Sequence, residues 1–170
     1  MTSMEIHTAK PLGHTRPRPH QLYTDAERLR RDTTKWTLVQ GVLAPLQFAV
    51  FLVSLVLVVR YLWTGAGYDA ATVSIVVKTA LLILIMVTGA IWEKTVFGQY
   101  LFAPAFFWED VFSFIVIALH SWYMWALLTA SMSPESMMYI ALAAYAAYVI
   151  NAGQFIWKLR MARLDAEVRA

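Results

Sequence analysis

Long apolar runs separated by short polar segments dominate the chain after its first 35 residues. A helix needs about 20 residues to cross the hydrocarbon core of a bilayer. Four runs have about that length, at Thr37–Trp63, Ala71–Trp92, Val111–Ala130 and Met137–Trp157. The pattern therefore predicts an all-α fold, an integral membrane four-helix bundle.

The polar segments at the two ends predict a simple domain organisation. Residues 1–22 show no apolar periodicity, which indicates a disordered tail. We expect the four transmembrane helices to form one domain over residues 23–164, followed by a C-terminal tail at 165–170. Thr24 and Glu27 match a capping box, in which each side chain accepts a hydrogen bond from the other residue's backbone N–H. This motif predicts a short amphipathic helix that lies along the lipid headgroups before the first span.

Charge and composition narrow the class of protein. Only 15% of the residues are charged, and there is no cysteine, which excludes thiolate metal sites and disulfide chemistry. Most of the Lys and Arg residues lie before the first apolar run or after the last, an arrangement that fits anionic lipid better than nucleic acid. The loops near 64–70 and 131–136 contain neither Lys nor Arg. By the positive-inside rule, both termini are predicted to be cytoplasmic.

Polar side chains of the predicted helices gather at one depth. Glu93 lies at the end of the second span, and Glu109 and Asp110 open the third span from the same side. The other helices contribute amides, namely Gln47, Asn151 and Gln154. This layer predicts a cavity open to the cytoplasm rather than a pore, because a pore needs polar lining along its full length.

His120 lies deeper than this layer. It follows Glu109 by eleven residues, close to three full turns, so both face one direction about 16 Å apart. A histidine at this depth indicates an axial ligand to a metallated macrocycle or a proton relay. The plainer alternative is packing with a hydrogen bond to a neighbouring helix. For Lys78, also inside a span, we expect the side chain to extend outward to the headgroups.

The other polar residues also have structural interpretations. Glu109 and Asp110 could complement the dipole at the start of a helix. Asn151 and Gln154 could hold helices together. Against this, carboxylates gathered in a partly dry site repel one another, which favours keeping one of them protonated as an acid.

Three stretches of the chain resemble a known family. They are "WTLVQGVLAPLQFAVFLVSLVLVVRYL", "SIVVKTALLILIMVTGAIWEKTVFGQYLFAPAFFWEDVFSFIVIALH" and "AAYVINAGQFIWKLR". They closely resemble the 3-vinyl bacteriochlorophyllide hydratases of photosynthetic bacteria, over about Leu22 to Leu164. The resemblance implies a hydro-lyase of bacteriochlorophyll biosynthesis that adds water to the C3-vinyl group of (bacterio)chlorophyllide a, a magnesium chlorin. The product would carry a 3-(1-hydroxyethyl) group. Residues 23–164 would then be a catalytic domain.

That reaction suggests roles for the polar residues. A proton must reach the terminal vinyl carbon, and water then adds to the inner carbon, so an acid and a proton acceptor suffice without any cofactor. We assign Glu109 as the acid, with Asp110 or Glu93 positioning and deprotonating water. The predicted substrate contacts are His120, Trp108, Gln47, Asn151 and Gln154, with His120 as the one candidate ligand to the substrate magnesium.

The expected partners are the magnesium chlorin and the lipid bilayer, with no nucleic acid. The resemblance implies a multi-pass protein of a bacterial inner membrane, either cytoplasmic or intracytoplasmic photosynthetic membrane. Ala141, Ala144 and Ala147 form a small-residue face that would suit either a homo-oligomer or internal packing.

Two other functions remain open at this point. A non-catalytic pigment-binding or assembly protein would use His120 as an axial ligand and would tolerate amides in place of its carboxylates. A proton-coupled transporter would need more polar residues in the outer half of the membrane than the sequence provides.

Overall fold

A computed structural model of the chain describes residues 22–167, with side chains placed over residues 22–164. The predicted tails fall mostly on residues 1–21 and 168–170, which lie outside the described residues. Within the described range the protein is all-helical and has no strand. The five helices are α1 (Asp25–Thr33), α2 (Lys35–Thr64), α3 (Tyr68–Phe97), α4 (Phe107–Thr129) and α5 (Pro134–Glu167).

The four long helices confirm the spans predicted from the apolar runs. Each is long and apolar enough to cross a membrane. Local sequence sets their ends: Gly65 and Gly98 follow α2 and α3 with φ of 69° and 85°, a left-handed conformation that glycine adopts without strain. At the start of α5, Pro134 needs no N–H donor, and the Ser133 hydroxyl accepts from the Ser136 N–H at 3.2 Å.

The long helices form two hairpins. A three-residue connection at 65–67 joins α2 to α3, and residues 130–133 join α4 to α5. Helices within a hairpin contact each other extensively, whereas α2 with α5 and α3 with α4 touch over shorter stretches. We call the region between the two hairpins the seam. Since the seam has fewer contacts than either hairpin, it is the natural place for the bundle to admit a ligand.

Apolar side chains cover the outside of the bundle. Large hydrophobic residues such as Leu38, Val56 and Leu128 are exposed, whereas several polar residues are buried inside. This inverted distribution suits a lipid surround, and with four spanning-length helices the chain has the architecture of a multi-pass membrane protein. Ala141 and Ala144 lie in the bundle core, so this part of the small-residue face serves internal packing.

The predicted capping box and short helix are also confirmed. The Thr24 N–H donates to Glu27 Oε2 at 2.7 Å, and the Glu27 N–H donates to Thr24 Oγ1 at 3.3 Å. From α1, Arg30 Nε donates to the Val96 carbonyl at 2.8 Å. This bond attaches α1 to the end of α3, near the connection that leads into α4.

Candidate active site

The connection between α3 and α4 directs two backbone amides at two carboxyl groups. Phe102 has φ of 59°, a left-handed conformation that turns successive N–H groups to the same side. The Phe102 N–H donates to Asp110 Oδ2 at 2.6 Å, and the Ala103 N–H donates to Glu93 Oε2 at 3.2 Å. Because Phe102 is neither glycine nor asparagine, this backbone conformation is strained, as is common at functional sites.

Glu93 and Asp110 meet across the seam. Both are buried, with 5% and 4% of their surface exposed. Their carboxyl groups are near enough to interact directly with each other. A hydrogen bond between two carboxyl groups requires a proton on one of them. This arrangement can therefore hold one acidic proton at a fixed position between α3 and α4. We call it the carboxyl pair.

Glu109 is bound differently, although it precedes Asp110 directly. Lys158 of α5 places its Nζ 2.6 Å from Glu109 Oε2, and the same Nζ donates to the Ala105 carbonyl. In this ion pair Glu109 is a carboxylate, and Lys158 ties α5 to the start of α4. From the sequence alone, Lys158 is one of the basic residues that follow the last apolar run.

The spacing of polar residues along α4 and α5 indicates that Lys158 faces Glu109. Asn151 Nδ2 donates to Ser113 Oγ at 2.9 Å, a second pair between α5 and α4. Lys158 follows Asn151 by seven residues, and Glu109 precedes Ser113 by four, so both pairs lie on the same two facing stripes of antiparallel helices. Asn151 thus holds α5 to α4, which is the structural role that the sequence allowed for it.

His120 lies away from the carboxyl pair. It follows Asp110 by ten residues, about 15 Å along the helix axis. Its Nδ1 hydrogen-bonds the Val116 carbonyl at 2.8 Å, within α4 itself rather than to a neighbouring helix. Its Nε2 is buried and has no hydrogen-bond partner among the described residues.

The prediction for Lys78 was wrong. Its side chain is fully buried, and Nζ lies 3.8 Å from the centroid of the Tyr148 ring instead of extending to the headgroups. Lys78 is near the middle of α3, and aromatic rings from α2 and α5 surround its ammonium group. These partners come from distant parts of the chain, so the position of Lys78 alone did not reveal them.

The remaining predicted site residues are scattered. Gln47 is buried on α2 and Gln154 is partly buried on α5, and the Oε1 atoms of both lack a partner within the described part of the chain. Trp108 is 64% exposed on the outer face of α4, so its side chain does not join the buried carboxyl groups. The structure thus brings together Glu93, Asp110 and the neighbouring Glu109. Among the described residues, no hydrogen bond or ion pair joins these carboxyl groups to the other candidates, Gln47, Trp108, His120, Asn151 and Gln154.

Two shallow apolar grooves run along the outside of the α2–α3 hairpin. One, of about 290 Å³, is lined by residues that include Val50, Val53 and Val77. The other, of about 380 Å³, lies between Leu38 and Leu84 and reaches Thr88. Neither groove is lined by a residue of the carboxyl pair.

Fold and site together define an all-helical multi-pass membrane protein with a buried acid cluster at one end of its bundle. A family model described as 2-vinyl bacteriochlorophyllide hydratase matches residues 23–161. Because this match covers most of the chain, the protein belongs to that family. The family description numbers the vinyl group 2, where the resemblance above numbers it 3; both describe hydration of a vinyl substituent on this macrocycle.

Two curated relatives support the assignment. A protein of Rhodobacter capsulatus named 2-vinyl bacteriochlorophyllide hydratase is 70% identical over 157 residues, covering 92% of this chain and 91% of the relative. A protein of Cereibacter sphaeroides with the same name is 72% identical over 151 residues, covering 88% and 93%. No solved structure gives a significant match.

Proposed function

We propose that this protein hydrates the vinyl group of (bacterio)chlorophyllide a and so forms the 1-hydroxyethyl product of bacteriochlorophyll biosynthesis. Membership of the hydratase family supports the reaction. The carboxyl pair is the structural observation that supports the chemistry, because it is a buried group built to hold one proton. Acid–base catalysis of this kind contributes about 100- to 10,000-fold in rate.

The carboxyl pair would start the reaction. Its shared proton adds to the terminal carbon of the vinyl group, and the electron pair of the double bond forms the new C–H bond. The positive charge left on the inner carbon is delocalised over the conjugated macrocycle. Water attacks this carbon and loses a proton to the carboxylate left behind, which restores the pair. Atoms and charges balance without an oxidant or a reductant.

Glu109 takes a different role in this proposal from the one the sequence suggested. While paired with Lys158 it has no proton to donate. We therefore assign the acid to Glu93 and Asp110 together, and Glu109 to holding α4, α5 and the Ala105 carbonyl around them. The two amides of Phe102 and Ala103 keep the carboxyl pair in place when its proton leaves, because both donate to carboxylate oxygens.

His120 is the proposed contact for the substrate magnesium. Its Nδ1 is engaged by Val116, and its buried Nε2 remains available. An imidazole nitrogen fixed in this way is well suited to bind a metal. The substrate plane would then lie along the seam, with the vinyl group at the carboxyl pair and the magnesium nearer the middle of the membrane.

The distribution of Lys and Arg supports cytoplasmic termini and therefore a cytoplasmic location for the carboxyl pair. We place the protein in a bacterial inner membrane, where an apolar macrocycle can enter the bundle sideways from the lipid.

The alternative function is non-catalytic pigment binding. The available nitrogen of His120 is the observation that favours it. Purified protein added to a vinyl magnesium chlorin in detergent, without nucleotide or reductant, distinguishes the two functions. An absorption shift with a mass gain of one water supports the hydratase. A shift without a mass gain contradicts it and supports the pigment-binding protein.

A further inference from the structure

A second polar cluster lies deep in the seam, and the mechanism above uses only its histidine, His120. All four long helices contribute: Phe51 and Ser54 from α2, Lys78 from α3, His120 from α4, and Tyr145 and Tyr148 from α5. Lys78 is its only cation within the described residues. We call this group the lysine cage.

Three aromatic rings surround the Lys78 ammonium group. Its Nζ lies 3.8 Å from the ring centroid of Tyr148, 5.6 Å from that of Phe51 and 5.8 Å from that of Tyr145. The faces of aromatic rings attract a cation, which favours an ammonium group here. They accept no conventional hydrogen bond, however, and none of the described residues supplies Nζ with an acceptor.

No described residue provides Lys78 with a counter-ion. The nearest acidic residue along α3 is Asp69, nine residues or about 14 Å away along the helix axis, and Glu93 of the carboxyl pair lies fifteen residues or about 22 Å away in the other direction. An amine buried without any acceptor is unfavourable, and an ammonium group without an anion is more so. An ionisable residue inside a membrane-spanning bundle commonly marks a functional site.

The surroundings of the cage indicate which ligand fits. Within the cage, the His120 ring centroid lies 6.1 Å from that of Tyr145. A macrocycle whose magnesium meets His120 would have its periphery near Lys78. A chlorophyllide is a free acid, and its propionate side chain ends in a carboxylate. That carboxylate supplies both the acceptor atoms and the negative charge that Lys78 lacks.

We propose that Lys78 binds the propionate carboxylate of the substrate and thereby selects the free-acid pigment over its ester. The proposal rests on the function proposed above, since it assumes a chlorophyllide in the seam. In this arrangement the substrate is held at two ends. The vinyl group meets the carboxyl pair at the rim of the bundle, and the carboxylate meets the lysine cage near its middle.

The test compares binding of two ligands that differ only at this carboxyl group: vinyl bacteriochlorophyllide and its propionate methyl ester. Dissociation constants come from absorption titrations in detergent, with native protein and the Lys78→Met variant. A hydrogen bond to a charged group predicts that native protein binds the acid roughly 10- to 100-fold more tightly than the ester. In Lys78→Met, affinity for the acid should fall to that for the ester, while affinity for the ester stays unchanged.

Ester binding serves as the folding control for the variant. Thr79→Val provides a matched control, because Thr79 is buried in the same turn of α3 and its hydroxyl bonds only the Ile75 carbonyl at 2.8 Å. It should keep the native preference for the acid. Equal affinity of native protein for acid and ester overturns the proposal, as does a Lys78→Met variant that weakens both ligands equally.

The same experiment separates this proposal from the proposed function. If native protein prefers the acid but adds no water to it, the hydratase fails and the lysine site stands. If native protein hydrates acid and ester with equal kcat/KM and equal affinity, the hydratase stands and the lysine site fails.

Discussion

Removing Lys158 tests how the acid cluster is held together. The Lys158→Met change keeps the length of the side chain but leaves Glu109 buried without its cation and the Ala105 carbonyl without this donor. Breaking a buried ion pair by deleting one partner typically costs about 3–5 kcal/mol. The Glu109 side chain is 5% exposed and that of Lys158 24%. Because water reaches Lys158 in part, we expect the lower end, about 3 kcal/mol.

Removing the charge of Glu109 instead should lower the free energy of unfolding by less. In Glu109→Gln the Lys158 ammonium group keeps the Ala105 carbonyl and its partial exposure to water, so we expect a loss of about 1–2 kcal/mol. The double variant has no unpaired buried carboxylate and should be more stable than Lys158→Met alone. A coupling free energy of about 1–3 kcal/mol between the two positions follows.

Equilibrium unfolding in mixed detergent micelles, followed by circular dichroism, measures these differences. A loss below about 0.5 kcal/mol for Lys158→Met would refute the reasoning, since that value is typical of a solvent-screened surface pair. Additive effects of the two single changes would refute it as well. Hydration assays on the same variants add a second check, because Glu109→Gln should keep activity within about tenfold of native if Glu109 is not the acid.

Three further predictions concern residues outside the proposed chemistry. Asn151→Leu removes the hydrogen bond to Ser113 and should lower the free energy of unfolding by about 0.6–1.7 kcal/mol in the same assay. Thr24→Ala removes the capping box and should destabilise α1 by about 1 kcal/mol. Faster hydrogen exchange confined to residues 25–33, with activity unchanged, is the expected readout, and exchange spreading into α3 would contradict it. Trp108→Ala should change kcat/KM by less than about threefold, because the side chain faces outward, and a loss above tenfold would place it in the substrate site.

The sequence predicted the helices well because bilayer thickness sets a length that apolar runs reveal directly. Thr37–Trp63 became α2, Lys35–Thr64. The other three spans agree with the observed helix ends to within five residues, except that α5 continues ten residues past Trp157. Most helix ends extend past the apolar runs, because at several of them a capping residue rather than the loss of hydrophobicity sets the boundary. The glycine following α2 and the proline that opens α5 are examples.

The site was predicted less completely. Their positions along the predicted helices placed Glu93 and Asp110 in one layer, and the structure brings them together across the seam. It did not identify their partners, because contacts between α3, α4 and α5 depend on how each helix is rotated about its axis. For this reason the sequence indicates only a flanking charge for Lys158. It also predicts that Lys78 extends outward, whereas aromatic rings of α2 and α5 enclose its side chain.

The central claim is that the carboxyl pair donates the proton that starts hydration. The most direct test follows vinyl hydration by native protein, Glu93→Gln and Asp110→Asn in deuterated water, with pigment binding measured alongside. Each amide still accepts its backbone N–H bond, from Ala103 or Phe102, so binding should persist. We predict one deuterium on the terminal carbon of the native product and a fall in kcat of about 100- to 10,000-fold in both variants. Turnover within tenfold of native in either variant would contradict the account.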